Sequence, residues 1–155
     1  MSTPLLYLDT SAWLKLYVEE AGSDEVRAAV EQAEQVCTHL IAYAELRAAL
    51  AKAERMHRLN AEQKAKVLPV IERDWQTLNV ILPTEMLVKR AGLMADRFGL
   101  RGYDSLHLAV AEAISLQVMP QPLVFACFDL HLNESAANLG MRVLHPGHPD
   151  QGRRR

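Results

Sequence analysis

Short apolar runs alternate with amphipathic segments along the chain, and this alternation predicts strands that alternate with helices. Five runs predict strands: LLYL (5–8), QVCTH (35–39), LNVIL (78–82), PLVFACF (122–128) and MRVLH (141–145). Between them, apolar residues at helical spacing predict helices over residues 11–18, 23–34, 41–57, 61–77, 84–98 and 104–116, with a short helix before the last strand. Pro69 predicts a kink or break in its helix. This order is typical of an α/β layer fold with a mostly parallel sheet.

Length and composition indicate one ordinary globular domain. The chain has 155 residues, of which 50% are hydrophobic and 23% charged. We assign residues 1–145 to the domain, and the tail PGHPDQGRRR, residues 146–155, is predicted to be disordered. A sequence pI near 6.3 and a net charge of −2 exclude a global basic signature, so any nucleic-acid partner needs a local patch or bound cations.

The cysteines and the N-terminus predict a cytoplasmic protein. Cys37 and Cys127 both fall in apolar runs and are typical of reduced core thiols, not of a disulfide scaffold. The N-terminus lacks the pattern of a signal peptide, and no apolar run approaches the roughly 20 residues of a membrane helix.

Two aspartates end predicted strands, and each has two interpretations. Asp9 follows the first strand and Asp129 follows the fourth, so both are expected at the carboxyl edge of the sheet, where open parallel sheets carry their functional crevice. Either could instead be a helix N-cap, a role that contributes about 1 kcal/mol. Asp104 also opens a predicted helix, so capping fits it as well.

Glu45 differs because it falls inside the predicted helix 41–57, where capping cannot explain a carboxylate. It could be a solvated residue that pairs with Arg47 or Lys52, or it could point at the same edge as the aspartates. Carboxylates that converge repel one another, by roughly 1 to 4 kcal/mol per pair at about 4 Å. A divalent cation removes that penalty, and an all-oxygen set suits Mg²⁺ or Mn²⁺. Metals held in this way support phosphodiester cleavage.

Four segments resemble the successive acidic motifs of PIN-domain ribonucleases, with the strongest likeness to VapC-type toxins of toxin–antitoxin modules. They are YLDTSAWLKLY, AYAELRAAL, GYDSLHLAVA and FDLHLNESAANLG, and the likeness extends from Leu5 to about Leu144. The resemblance implies an α/β/α sandwich and a Mg²⁺- or Mn²⁺-dependent endoribonuclease. It also implies a homodimer that a cognate antitoxin holds inactive.

The resemblance implies an acidic metal site formed by Asp9, Glu45, Asp104 and Asp129. Ser11 would hydrogen-bond within the site or orient a water, with help from Thr10. The family often has Thr or Ser two residues before the last aspartate, whereas this chain has Cys127, a weaker hydrogen-bonding group. His107 could touch the site or simply pack. Four basic residues flank the motifs and are candidates for binding RNA phosphates: Lys15, Arg47, Arg97 and Arg101.

Other functions fit the sequence less well. A phosphoryl-transfer enzyme of the haloacid dehalogenase type needs an aspartate two residues after the first, where this chain has Ser11. A receiver domain usually needs an acidic pair near its N-terminus, and the first strand offers none. A catalytically inactive PIN-like binding or dimerisation module stays open as the non-enzyme alternative, although unpaired carboxylates kept together argue against it.

Overall fold

The central sheet has five strands, all parallel, in the computed structural model, which describes residues 3–145. The strands are β1 (Leu5–Leu8), β2 (Gln35–His39), β3 (Asn79–Ile81), β4 (Leu123–Ala126) and β5 (Arg142–Val143). Their order across the sheet is β3-β2-β1-β4-β5, so β1 lies in the centre. Because the strands are parallel, their carboxyl ends share one edge of the sheet.

Seven helices connect the strands within the described range. They are α1 (Thr10–Leu14), α2 (Ser23–Gln32), α3 (Ala42–Arg55), α4 (Ala61–Trp75), α5 (Glu85–Phe98), α6 (Gly102–Val118) and α7 (Leu130–Asn138). None of the helices between residues 3 and 145 has the length and apolar content needed to cross a bilayer. The tail predicted to be disordered, residues 146–155, lies outside the described residues.

Alternating side chains of β1 enter two different cores. Leu5 and Tyr7 belong to a core formed with α5, α6 and α7, whereas Leu6 and Leu8 belong to a core formed with α1, α2, α3 and α4. Successive side chains of a strand point to opposite faces, so the helices cover both faces of the sheet. The α/β/α sandwich is therefore confirmed.

Most helices differ by one or two residues from their predicted bounds, and the differences at α1 and α6 lie next to predicted site residues. The helix predicted over residues 11–18 ends at Leu14, because the next three N–H groups bond to carbonyls three residues back and tighten the chain into turns. The helix predicted to start at Asp104 starts at Gly102, with Arg101 as N-cap residue, which excludes the capping interpretation of Asp104.

The predicted kink or break at Pro69 is not a break, since α4 continues through that residue. A proline inside a helix removes one backbone hydrogen bond. The N-terminus of α4 is held by a capping box, in which the Asn60 side chain accepts from the Gln63 N–H and the Gln63 side chain accepts from the Asn60 N–H, both at 2.8 Å.

Candidate functional site

Asp9 both caps a helix and opens onto the carboxyl edge of the sheet. It directly follows the central strand, and its Oδ1 accepts hydrogen bonds from the Ala12 N–H at 2.9 Å and from the Ser11 hydroxyl at 2.7 Å. The residue is 4% exposed. Capping fixes the orientation of the carboxylate, so the cap interpretation and the site interpretation apply together.

Asp129 repeats this arrangement after β4. Its Oδ1 accepts from the Leu132 N–H at 3.0 Å and caps α7. Its own N–H donates to Cys127 Sγ at 3.2 Å, so the thiol, a weaker hydrogen-bonding group than a hydroxyl, still holds this corner of the chain. Burial, together with the charge of Asp9, raises the pKa of Cys127 well above its usual range, so the sulfur stays a protonated thiol.

Glu45 lies in the first turn of α3, not in the middle of a helix as the sequence suggested. The helix begins at Ala42, and the N–H of its N-cap residue, Ile41, donates to His39 Nδ1 at 3.1 Å. Glu45 Oε1 accepts hydrogen bonds from Thr10 Oγ1 and His107 Nε2, each at 3.0 Å. Burial raises the pKa of Glu45, but the hydrogen bonds from His107 and Thr10, together with the electrostatic influence of His107 and His39, outweigh burial and the net pKa is lowered. The carboxylate is therefore ionised at neutral pH.

Asp104 lies in the first turn of α6, near Arg101, whose Nε is 3.4 Å from Oδ2. Burial raises the pKa of Asp104, Arg101 lowers it, and the charges of Asp129 and Asp9 raise it again, so that the net pKa lies above the usual value. The like charges therefore act on one another through a shared space.

One cleft of about 260 Å³ brings all the predicted site residues together. Its walls are Asp9, Thr10, Ser11, Glu45, Arg101, Asp104, His107, Phe128 and Asp129. An apolar groove of about 700 Å³ between α5 and α6 adjoins this cleft and shares Glu45, Arg101 and Asp104 with it. The elements thus place four carboxylates around a space large enough for a cation and part of a substrate.

Three residues near the acids were not assigned to the site from sequence: Tyr7 and His39, which lie behind the cleft, and His107, which lines it and was left open between touching the site and packing. Tyr7 Oη lies 2.9 Å from His107 Nδ1, and the His39 and His107 rings are 4.3 Å apart. Position in the sequence gave a signal for the two histidines: His39 ends β2 at the site edge, and His107 comes one turn after Asp104 on α6.

The four carboxylates fit a hard divalent cation. They supply oxygen donors only, and a bound cation would offset the influences that raise the pKa of Asp104, which are burial first and then the charges of Asp129 and Asp9. A site formed by His39, Glu45 and His107, whose donor atoms lie within 4.8 Å of one another, fits less well. His39 Nδ1 accepts the Ile41 N–H, so the proton of the neutral ring is on Nε2, and that nitrogen has no lone pair for a metal.

The four basic residues considered for binding RNA phosphates differ in where they lie relative to the acids. Arg101 lines the cleft. Lys15 pairs with Glu20 at 2.9 Å, Arg47 donates to Tyr43 Oη at 3.0 Å, and Arg97 lies over the Phe98 ring. Of these four, the structure brings only Arg101 to the acids.

Comparison with known proteins gives related sequences. The family model described as PIN domain matches residues 6–124, a segment that includes Asp9, Glu45 and Asp104 but ends before Asp129. Two proteins of Mycobacterium tuberculosis, Ribonuclease VapC45 and Ribonuclease VapC49, are each 36% identical over 144 residues, covering 90% of this chain and 94% of the relative. A solved "Toxin-antitoxin complex from Klebsiella pneumoniae" aligns with a TM-score of 0.48 at 21% identity, covering 78% of this chain and 83% of that chain.

Proposed function

This chain belongs to the PIN-domain family and is related to VapC-type ribonucleases, and on that premise we propose that it is a metal-dependent endoribonuclease. The family membership confirms the resemblance recognised from the four sequence motifs. The observation that carries the proposed activity is the cleft in which Asp9, Glu45, Asp104 and Asp129 meet.

The four acids would hold Mg²⁺ or Mn²⁺, with the number of ions left open. Such an ion activates water and stabilises the charge on the oxygens of a phosphodiester undergoing displacement. The Ser11 hydroxyl holds Asp9, and Thr10 holds Glu45, so both carboxylates keep their places before a substrate arrives. Arg101, at the wall of the same cleft, can bind a phosphate of the RNA.

We further propose that the protein is the toxin of a toxin–antitoxin pair, with an antitoxin as partner and RNA as substrate. Its relatedness to VapC ribonucleases over 90% of the chain supports this role. A homodimer belongs to the same proposal. It is supported by large apolar side chains exposed on or just before α5, namely Leu82, Met86, Val88 and Leu93.

Cleavage of a structured RNA with single-stranded loops tests the enzymatic proposal. We expect cleavage with Mg²⁺ or Mn²⁺, no cleavage in EDTA, and a loss of at least about 100-fold for Asp9→Asn, since even residues that only support metal ligands typically contribute 10- to 100-fold. Glu31→Gln, which removes an exposed acid of α2, is the matched control and should cut at the wild-type rate. A folded Asp9→Asn protein that cuts like the wild type contradicts the acidic mechanism and favours the inactive-module alternative.

Expression in bacteria without an antitoxin tests the toxin role separately. We expect the wild type to slow growth and Asp104→Asn, at the same protein level, to grow normally. If the two cultures grow alike while the purified wild type still cleaves RNA, the toxin role is wrong and the nuclease proposal is unaffected.

A further inference from the structure

A chain of buried hydrogen bonds links the central strand to Glu45. Tyr7, on β1, is fully buried and its hydroxyl lies 2.9 Å from His107 Nδ1. His107, on α6, is 1% exposed, and its Nε2 lies 3.0 Å from Glu45 Oε1 on α3. The hydrogen bonds therefore join three separate elements in series and end at one carboxylate oxygen of Glu45.

The chemistry of the partners fixes the direction of these hydrogen bonds. Glu45 is ionised and only accepts, so His107 Nε2 carries a proton and donates it. In the neutral ring Nδ1 is then an acceptor, which the Tyr7 hydroxyl satisfies. Burial, with the charge of Asp9, raises the pKa of Tyr7 well above its usual range, so the phenol keeps its proton and donates.

Both hydrogen-bond donors to the Glu45 side chain contact the same carboxylate oxygen. Thr10 Oγ1 donates at 3.0 Å to Oε1, the same oxygen that accepts from His107. Among the hydrogen bonds found within residues 3–145, both that reach the Glu45 side chain end on Oε1, which leaves Oε2 to meet a ligand in the cleft.

His39 closes the space behind this contact without sharing in it. Burial and the neighbouring His107 lower the pKa of His39 to about 3, so the ring is neutral. Its Nε2 lies 3.9 Å from Glu45 Oε1, beyond hydrogen-bond range, and has no hydrogen-bond partner among the described residues. The carboxylate is therefore drawn to His107 and not to His39.

We propose that His107, held in place by Tyr7, is the positioning residue that orients Glu45 for metal binding. This inference rests on the proposed function only in that Glu45 serves as a metal ligand. Groups that hydrogen-bond to ligating carboxylates fix their orientation, and their loss typically weakens metal binding or activity 10- to 100-fold.

Two amide substitutions separate positioning from packing. The Gln amide nitrogen reaches about as far as His Nε2, so His107→Gln can still donate to Glu45. The Asn amide reaches only about as far as Nδ1, so His107→Asn can accept from Tyr7 but cannot reach Glu45. Calorimetric titration of metal-free protein with Mn²⁺ should give binding about 10- to 100-fold weaker in His107→Asn and within a few-fold of wild type in His107→Gln.

A spectroscopic measurement tests the hydrogen-bond directions without metal or RNA. Ring ¹⁵N chemical shifts of His107 in the metal-free wild type should report a proton on Nε2 and none on Nδ1. Tyr7→Phe removes the donor to Nδ1, and we expect this signature to weaken. His131→Asn, at an exposed histidine outside the cleft, is the control and should leave both the His107 signals and Mn²⁺ affinity unchanged.

The outcomes distinguish this inference from the proposed function. Wild-type Mn²⁺ affinity in a folded His107→Asn protein, equal losses in the Asn and Gln variants, or a His107 ring protonated on Nδ1 would overturn the inference, even if the protein cuts RNA. The proposed function alone fails if the wild type cuts no RNA while His107→Asn loses Mn²⁺ affinity and His107→Gln keeps it. A wild type that binds no Mn²⁺ removes the ligand role of Glu45 and overturns the inference with it.

Discussion

At the scale of single residues, Asp104 combines attraction and repulsion. It shares the cleft with Asp9 and Asp129, and its contact with Arg101 spans 3.4 Å. Burial is the largest influence on its pKa, and the net pKa is raised even though Arg101 lowers it. An acid whose pKa is higher in the folded state than in the unfolded state destabilises the fold once it ionises. Asp104 therefore lowers stability in the metal-free protein at neutral pH.

Replacing Asp104 tests this conflict. In EDTA at pH 7, we expect Asp104→Asn to unfold at the wild-type temperature or above it, with a gain on the order of 1 kcal/mol or less. The gain should disappear as the pH falls through the pKa of Asp104, because the wild-type carboxyl then becomes neutral as well. Thermal unfolding followed by circular dichroism at several pH values measures both effects.

The same thermal unfolding measurements, repeated with Mn²⁺ and with a control variant, test the role of the metal. Mn²⁺ should raise the melting temperature of the wild type, since a ligand that binds only the folded state stabilises it, and should raise that of Asp104→Asn much less. Glu31→Gln should follow the wild type in both buffers. A clearly lower melting temperature for Asp104→Asn in EDTA would mean that its carboxylate stabilises the metal-free fold.

At the scale of elements, each acid of the cleft lies at the start of a helix. Asp9 and Asp129 are the N-cap residues of α1 and α7, and Glu45 and Asp104 lie in the first turns of α3 and α6. Helix N-termini favour negative charge, by typically 0.3–1 kcal/mol each. This placement partly offsets the mutual repulsion of the acids, so the fold tolerates the cleft without a cation.

Two helices are followed by a residue in the left-handed backbone conformation, one a glycine and one a histidine, and this pair tests the cost of a side chain there. α5 ends at Gly99 with φ +67° and open space around the position of a Cβ. After α3, His57 has φ +59°, and the Arg58 N–H bonds to the Ala53 carbonyl at 2.9 Å, as in a Schellman motif. A side chain is strained in this conformation, by roughly 1 kcal/mol.

We therefore expect Gly99→Ala to lower the free energy of unfolding by about 1 kcal/mol and His57→Gly to raise it by about 0.5–1 kcal/mol. Urea unfolding of both variants and the wild type measures the difference. Gly92→Ala, inside α5 where the space around a Cβ is open and φ is not left-handed, is the control and should be neutral or stabilising. Destabilisation by His57→Gly would show that its side chain contributes more than the strain removes.

The sequence predicted which elements exist better than where they end. The strands 5–8 and 35–39 have the predicted bounds, and the first of them is an uninterrupted run of four apolar residues. The start of α6 was missed, because an Asp at the beginning of a helical pattern is usually an N-cap residue. In the structure the N-cap residue is Arg101, and its carbonyl accepts a hydrogen bond from the Ser105 hydroxyl at 2.8 Å. That contact depends on the backbone path and has no periodic signal.

For the site, the sequence predicted the acids but not what supports them. Strand ends and motif order led to Asp9 and Asp129, and the structure places both at one edge with Glu45 and Asp104. The contact of Tyr7 with His107 joins residues 100 positions apart, and His107 reaches Glu45 across 62 positions. One sequence without its fold cannot show which histidine meets which carboxylate, so packing had to reveal these partners.

At the scale of the whole molecule, a net charge of −2 and four acids in the cleft oppose an RNA substrate. Among the residues that line the cleft, Arg101 is the one arginine or lysine. If the acids hold divalent cations as proposed, the attraction to phosphates comes mainly from those cations, with a few basic contacts added. This differs from the usual basic surface of RNA-binding proteins, whose affinity falls steeply with monovalent salt.

Binding of a short single-stranded RNA, followed by fluorescence anisotropy, tests this balance. With Ca²⁺, which also prefers oxygen ligands but has looser geometry and so favours binding without cleavage, we expect measurable affinity; in EDTA the affinity should fall at least about tenfold. The plot of log affinity against log salt should be shallow, and Arg101→Gln should reduce its slope by about 1. Lys66→Gln, an exposed cation of α4 outside the cleft, should leave the slope unchanged. If EDTA leaves the affinity intact, RNA must bind through another basic surface, and the acids would then serve cleavage without contributing to substrate capture.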